Sequence, residues 1–351
     1  MNYFFPSFLS QNDLKNISGE LDFTVNSGEN AIRLLLRSYN LPKGSKVLIP
    51  IFVCDSLKKS VIKEGLEPFY IDLKADGTFW ADYSNISQQA GQIAAVILVH
   101  LYGYLHPDTE IIMNECKQHH LPLIHDAAQS FGIDENKLTY SSGIVYSFGA
   151  GKSTTGAGGA IVKGLEKAFY DNNISTISDF SLQTMHSKLF FKSRVYGYRF
   201  SLKDKLSQAI FSRMNENEVI KIMTPFQTKA ALATINLLSG KKENRIKNFE
   251  ILKVSILAND YLKMTSNQSD GSFFKIIFVV KKNGEKFKNY LSSNQVPFFC
   301  LYDSMKIHTE KFKHFPVFTN FAAQIIELST EASIPSKEVN RIAEILKSYK
   351  E

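Results

Sequence analysis

Short apolar segments alternate with helix-like segments between residues 27 and 163, and this alternation limits the folds open to the chain. Strands are predicted at residues 46–50, 68–73, 94–100, 121–125, 143–148 and 159–162. Helices are predicted at residues 31–38, 56–64 and 107–119. "AAVILVH" (94–100) is almost wholly apolar, as strands are when both faces of a sheet are covered. The pattern predicts an α/β fold with a mainly parallel mixed sheet between helices.

The remainder of the chain has a different pattern. Further helices are predicted at residues 249–262 and 285–292, with a strand at 274–280 and a C-terminal helix from residue 336. A chain of 351 residues is long enough for two hydrophobic cores. We therefore predict a large domain over residues 1–240 and a smaller α+β domain over residues 241–351.

Bulk properties exclude several classes of protein. The net charge of +7 is mild for this length, and the sequence has no zinc-finger spacing or dense basic run, so no nucleic-acid partner is expected. Three widely spaced cysteines form neither a disulfide framework nor a metal motif, so no metal is expected. No apolar run approaches bilayer length and the first residues do not resemble a secretory signal. We expect a soluble cytoplasmic protein that does not contact a membrane.

The segment "SFGAGKSTTGAGGA" (147–160) contains GKST, which is also the end of a nucleotide-binding P-loop. A P-loop requires glycine five residues before Gly151, where this chain has Tyr146. Asp126 follows the predicted strand that ends at residue 125, and so lies at the sheet edge where open α/β sheets bind ligands. An aspartate and Lys152 at neighbouring strand ends are the pair that pyridoxal 5′-phosphate (PLP) requires. By itself, Asp126 could serve only to cap the turn after it.

Several motifs occur in the order found in one family. "HDAAQSFG" (125–132), "YSFGAGK" (146–152) and "GAGGAIV" (156–162) follow "NSGENAIRLLL" and "AAVILVHLYGY". Together they resemble the DegT/StrS sugar-nucleotide aminotransferases, which are fold-type-I PLP enzymes. The resemblance covers nearly the whole chain and implies a homodimer with each active site at the subunit interface.

The resemblance assigns roles to individual residues. It implies that Lys152 holds PLP as an internal aldimine and moves protons, that Asp126 pairs with the ring nitrogen, and that Gln129 lies near the 3-hydroxyl. It implies that Ser147 donates a hydrogen bond to the phosphate. Gly28, Glu29 and Asn30 open the first helix, whose free N–H groups suit an anion.

The chain departs from the family pattern at three positions. Glu29 replaces a small hydroxyl residue, and its carboxylate is expected to turn away from a phosphate. Cys54 stands where an aromatic residue often stacks on the ring, so Phe52 is a second candidate for that contact. His125 replaces an acidic residue and is interpreted as a hydrogen-bonded group at a strand end.

Arg194 or Arg199 could bind a diphosphate or a donor carboxylate.

The predicted function is transfer of an amino group from an amino acid, glutamate by resemblance, to a nucleotide-linked keto sugar. Two alternatives stay open at this point. One is a PLP-dependent sugar dehydratase. Dehydratases that resemble this family carry histidine in place of the lysine, so Lys152 counts against this alternative. A non-catalytic regulatory or binding member of the same fold is the other, and Glu29 and Cys54 favour it.

Overall fold

A seven-stranded sheet occupies the first part of the molecule. The structure is a computed structural model that describes residues 21, 23–149, 151–154, 157–175, 220–265, 271–304, 312 and 314–350. The strands are β1 (Thr24–Val25), β2 (Lys46–Pro50), β3 (Glu67–Ile71), β4 (Ala95–Val99), β5 (Leu123–Asp126), β6 (Gly143–Ser147) and β7 (Ala160–Lys163). Their order across the sheet is β1-β7-β6-β5-β4-β2-β3.

Parallel pairing runs through most of this sheet. β3, β2, β4, β5 and β6 are parallel neighbours, whereas β7 is antiparallel to β6 and β1 is antiparallel to β7. The connecting helices are α1 (Gly28–Ser38), α2 (Asp55–Lys63), α3 (Ile86–Gln89), α4 (Thr109–Gln118) and α5 (Lys167–Asn173). β4 is buried along its whole length, as the sequence predicts. The predicted α/β fold with a mainly parallel mixed sheet is confirmed.

A second, antiparallel sheet follows in the last third of the chain. It has the order β10-β9-β8, formed by β8 (Leu262–Met264), β9 (Lys275–Val280) and β10 (Ile325–Ser329). The helices of this region are α6 (Pro225–Asn236), α7 (Leu238–Leu257), α8 (Gly284–Ser293), α9 (Leu301–Ser304), α10 (Pro316–Phe321) and α11 (Ser336–Ser348). The predicted helix at 249–262 has the wrong bounds, because α7 begins at Leu238 and ends at Leu257. Leu262 belongs to strand β8, where it pairs with Val280 of β9.

Helix α7 runs across the predicted domain boundary at residues 240 and 241. One hydrophobic cluster contains both Leu35 of α1 and Ile276 of β9, so the two sheets share apolar packing. The division of the chain into two domains stays a prediction. Within the described ranges, no helix combines the length and apolar character needed to cross a bilayer.

Close packing sets the position of α1 against the sheet. A side chain at Gly143 would collide with the side chain of Leu35, so glycine at the start of β6 lets α1 lie directly on the strand. Ser27 caps α1 by accepting the N–H of Asn30 at 3.2 Å. The N-terminus of α1 is therefore fixed beside the carboxyl end of β6.

Candidate active site

Asp126 lies at the carboxyl end of β5, in the middle of the sheet edge. Its side chain is buried, and one carboxylate oxygen accepts the N–H of Ala128 at 3.0 Å. Burial raises the pKa of Asp126, while the positive charge of Lys152 and the bond from Ala128 act in the opposite direction. Asp126 is thus a desolvated carboxyl group, and the charge of Lys152 is the nearby positive charge that favours its ionised form.

Lys152 stands on the loop between β6 and β7. Hydrogen bonds from Phe148 N–H to the carbonyl of Gly159 (2.9 Å) and from Gly158 N–H to the carbonyl of Phe148 (3.2 Å) prolong the β6–β7 ladder past the strand ends. Gly158 and Gly159 have φ values of 86° and 93°, which favour glycine. The loop therefore starts at the end of β6, the strand next to β5, and Lys152 within the loop is partly buried.

Ser147 and Gly28 meet at the same edge. Ser147 ends β6, and its hydroxyl oxygen accepts the N–H of Gly149 at 3.3 Å. A Cβ atom on Gly28 would lie 3.1 Å from that oxygen, so the first residue of α1 is in close contact with Ser147. The first N–H groups of a helix have no partner within the helix and carry its positive dipole end. Helix geometry therefore places a hydroxyl and positive backbone groups side by side.

The next two residues of α1 face other parts of the protein. The carboxylate of Glu29 pairs with the ammonium of Lys63 at 2.6 Å, which directs its charge toward α2. Asn30 donates from its side chain to the Asn26 side chain at 2.8 Å and accepts from Arg33 at 3.0 Å. Because its N–H is also used by the Ser27 cap, Asn30 is engaged inside the protein and does not fit the predicted cofactor contact.

Gln129 connects the loops after β5 and β4. Its side-chain oxygen accepts the N–H of Tyr102 at 3.2 Å. Tyr102 has φ 60° and ψ 16°, a left-handed conformation that is unfavourable for a bulky residue. Such strain concentrates at functional sites, where the surrounding structure over-determines the backbone. Gln129 is partly buried at the edge that also carries Asp126.

Of the two candidates for the stacking position, Phe52 does not fit. Its ring is fully buried and packs against Phe318, with the centroids 6.2 Å apart, so neither face is open to a ligand. Cys54 precedes the first residue of α2 and is partly buried, with its sulfur 2.9 Å from the hydroxyl of Ser56. Of the two candidates, Cys54 is therefore the one that stays a prediction for the contact with the ring.

Three buried histidines lie behind Asp126. His100 Nδ1 accepts the N–H of His106 at 3.1 Å, and His100 Nε2 lies 3.1 Å from His125 Nδ1. His125 Nε2 in turn bonds the carbonyl of Tyr140 at 3.1 Å, which agrees with the interpretation of His125 as a hydrogen-bonded group. Burial lowers the pKa of all three imidazoles, to about 4 for His106. The lowered pKa values favour the neutral imidazoles, and the bond that His100 Nδ1 accepts leaves its Nε2 to donate to His125.

The backbone links this chain of imidazoles to the acid. The N–H of His100 donates to the carbonyl of Asp126 at 3.0 Å, and Ser130 donates its hydroxyl proton to the carbonyl of His100 at 2.8 Å. These two hydrogen bonds hold the backbone of Asp126 at the end of β5 against the end of β4. Arg194 and Arg199 lie outside the described residues. Among the described residues, no three His, Cys, Asp or Glu side chains are grouped to hold a metal ion.

A buried acid and a loop lysine within electrostatic range of each other, at one edge of a mainly parallel sheet, are the arrangement of α/β PLP-dependent transferases. A sequence profile of the DegT/DnrJ/EryC1/StrS aminotransferase family matches residues 19–347. The chain therefore belongs to this family of PLP-dependent aminotransferases, and the predicted family, enzyme class and cofactor are confirmed.

Individual relatives are distant in sequence. The GDP-perosamine synthase of Escherichia coli O157:H7 is 22% identical over 338 residues, which cover 93% of this chain and 85% of the relative. The dTDP-3-amino-3,6-dideoxy-alpha-D-galactopyranose transaminase of Aneurinibacillus thermoaerophilus is also 22% identical over 338 residues, covering 93% and 84%. The putative sugar aminotransferase Spr1654 from Streptococcus pneumoniae, in its PLP form, has a TM-score of 0.73 at 16% identity, covering 98% and 97%.

The described residues fit PLP chemically. The raised pKa of Asp126 reports a carboxylate that lacks sufficient compensation for its burial, and a protonated pyridine nitrogen would supply it. The contact of Gly28 with Ser147 offers backbone N–H groups and a hydroxyl to a phosphate. An anion and a cation of one small molecule can therefore both be satisfied at this edge.

Proposed function

We propose that this aminotransferase moves an amino group from glutamate to a keto sugar carried on a nucleotide, with Lys152 as the residue that bonds PLP. The observation that carries the proposal is the buried carboxylate of Asp126 within electrostatic range of Lys152, beside the contact of Gly28 with Ser147. When bound, PLP supplies an electron sink for the charge left by removal of a C–H proton.

Each residue has a defined task in this proposal. Asp126 keeps a proton on the ring nitrogen by stabilising the positive charge there. The hydroxyl of Ser147 and the N–H groups of Gly28 and Glu29 hold the phosphate. Gln129 lies near the ring oxygen, and Cys54 contacts the ring face. Lys152 Nζ, once released by the incoming amine, accepts and returns the proton, a role worth typically ~10²–10⁴-fold in rate.

The sugar substrate is inferred from relatives and from charge. The names of the two curated relatives contain GDP and dTDP, so both refer to nucleotide-linked sugars. A net charge of +7 favours an anionic acceptor of this type. A homodimer and a cytoplasmic location are further parts of the proposal, the dimer because the resemblance places each active site at a subunit interface. Light scattering of the purified protein tests the dimer.

Absorbance spectroscopy of the purified protein tests the function. We expect a visible band from bound PLP that bleaches when glutamate is added and returns when a nucleotide-linked keto sugar is supplied, with an amino sugar as product. Consumption of the sugar without glutamate would instead identify a dehydratase. A protein that remains colourless with added PLP would indicate the non-catalytic alternative.

A further inference from the structure

A buried polar cluster lies behind the lysine loop, in a part of the chain that the proposed function does not use. Its members are Ser153, Thr154, Arg245, Ser272 and Glu331, and each is at most 7% exposed. Arg245 of α7 has the largest side chain among them and is fully buried. Buried charges of this kind are retained only where they are paired and hydrogen-bonded.

The guanidinium of Arg245 contacts three separate segments. One nitrogen donates to the carbonyl of Ser153 at 2.9 Å and also pairs with the carboxylate of Glu331. The other terminal nitrogen donates to the carbonyl of Ser272 at 3.4 Å. Ser153 is the residue directly after Lys152, so the fork of Arg245 holds the backbone that carries the lysine.

The second arm of the fork reaches the other side of the site. The N–H of Ser272 donates to the carbonyl of Gly103 at 2.9 Å, and Gly103 follows Tyr102, whose N–H bonds Gln129. The loops after β4 and β6 flank β5, the strand that ends in Asp126. Arg245 therefore ties together the loops on both sides of Asp126.

Glu331 gives the arginine a fixed base. Asn248, three residues along α7 from Arg245, donates to the carbonyls of Thr330 (3.2 Å) and Glu331 (2.9 Å). The N–H of Thr330 donates to the carbonyl of Phe274 at 3.1 Å. These bonds hold the backbone of the turn after β10 in place. The carboxylate of Glu331 is therefore fixed and can orient the guanidinium of Arg245.

We propose that Arg245, oriented by Glu331, is a positioning residue that holds the Ser153 carbonyl and thereby directs Lys152 Nζ toward Asp126. This inference rests on the proposed role of Lys152. The hydroxyl oxygens of Ser153, Thr154 and Ser272 and the Nε of Arg245 have no hydrogen-bond partner among the described residues.

Variants that keep the fold separate positioning from stability. Arg245→Lys preserves the charge opposite Glu331 but removes the planar fork that reaches Ser153 and Ser272 together. The double variant Arg245→Met/Glu331→Leu removes both charges, a replacement of a buried pair that proteins often tolerate. Lys288→Met is the matched control, because Lys288 is a buried lysine of α8 that pairs with Glu285 and Asp303 and not with the lysine loop.

Hydrogen exchange and steady-state kinetics give the result. In cofactor-free protein, we expect faster exchange in the peptide containing Lys152 and Ser153 for both Arg245 variants and unchanged exchange for Lys288→Met. In the holoenzyme, we expect kcat to fall roughly 10- to 100-fold in both Arg245 variants, with less than about a threefold change in KM for the donor. The pH at which the absorbance of bound PLP changes should also shift.

The experiments distinguish an error in the role of Arg245 from an error in the role of Lys152. If both Arg245 variants match Lys288→Met in exchange, kcat and absorbance titration, the positioning role is wrong while the role of Lys152 stands. If the wild-type protein binds PLP through another residue, the proposed function fails, and the exchange result still reports whether Arg245 holds the loop.

Discussion

Gly28 and Ser147 lie 119 positions apart in the sequence, yet a Cβ atom on Gly28 would lie 3.1 Å from the hydroxyl oxygen of Ser147. The contact joins the N-terminus of α1 to the carboxyl end of β6. Positive backbone groups and a hydroxyl donor therefore converge on a single point. In the proposed function that point receives the phosphate of PLP.

Ser147→Ala should weaken PLP binding by about 10- to 100-fold, since a hydrogen bond to a charged group contributes roughly 1.5–3 kcal/mol. Equilibrium titration of cofactor-free protein with PLP measures the change. Ser141→Ala is the control, because Ser141 at the opposite end of β6 likewise accepts the N–H two residues ahead, at 3.2 Å. Equal PLP affinity in the two variants would remove Ser147 from the phosphate site.

Asp126→Asn should separate stability from activity. Because burial raises the pKa of Asp126, the ionised carboxylate destabilises the folded chain at neutral pH. The neutral amide should therefore leave the melting temperature of cofactor-free protein unchanged or higher, while kcat falls roughly 10²–10³-fold. Asp134→Asn is the control, since Asp134 also accepts an N–H two residues ahead but is exposed. Near wild-type turnover in Asp126→Asn would contradict its pairing with the ring nitrogen.

The buried histidines predict a loss of stability in mild acid. The pKa of His106 is lowered to about 4 by burial first, with the charge of Lys74 acting the same way and the Ala81 carbonyl and Asp108 opposing it. His106 therefore becomes protonated near pH 6.5 in the unfolded chain, but only near pH 4 in the folded chain. The contribution of neutral His106 to the free energy of unfolding is fully present above pH 6.5. It is lost as the pH falls toward 4, at about 1.4 kcal/mol per pH unit.

Urea unfolding between pH 8 and pH 5 measures this effect. His100 and His125 act in the same direction as His106, whereas the raised pKa of Asp126 acts oppositely with a single proton. His106→Asn should flatten the pH dependence of the unfolding free energy. His120→Asn, at an exposed residue with a positive φ of 53° that asparagine tolerates, should not. Identical slopes in both variants would show that folding does not lower the pKa of His106.

Gly103→Ala should destabilise the protein through collision as well as backbone strain. Gly103 has φ 92°, and a Cβ there would collide first with the hydroxyl oxygen of Ser272 and would also lie 2.9 Å from the ring of Phe274. Gly44 has a similar φ of 77°, but its nearest atom would be 3.9 Å away, on Glu67. Thermal unfolding should therefore show a loss of about 1–2 kcal/mol for Gly44→Ala and about 2–4 kcal/mol for Gly103→Ala. Equal losses would mean that Ser272 and Phe274 pack loosely against the Gly103 loop.

Local patterns predicted the parallel core of the sheet. Residues 46–50 were predicted as a strand and form β2 with those bounds, and the apolar run at 94–100 contains β4. The short strand β1 and the antiparallel placement of β7 were not predicted, because pairing partners at a sheet edge depend on contacts distant in sequence. Helix α7 was predicted to begin 11 residues too late, since Leu238–Asn248 is too polar to show a helical apolar face.

The order of the motifs predicted which residues stand at the site edge, but not which partners they contact. Asp126 and Lys152 were recognised from strand ends, whereas the full burial of Phe52 and the engagement of Asn30 depend on Phe318, Asn26 and other side chains from separate elements. Arg245 was missed for the same reason, because a lone arginine on a polar helix gives no signal of burial until the fold encloses it.

Borohydride reduction of the purified protein with PLP, followed by peptide mass spectrometry, tests the central claim most directly. Reduction fixes the bond between PLP and the amine that holds it, so the modified residue can be read from the peptide. The expected result is one modified peptide, with the added mass on Lys152, and loss of the modification in Lys152→Ala. Modification of a different lysine, or none in a protein that still transaminates, would contradict the assignment of Lys152.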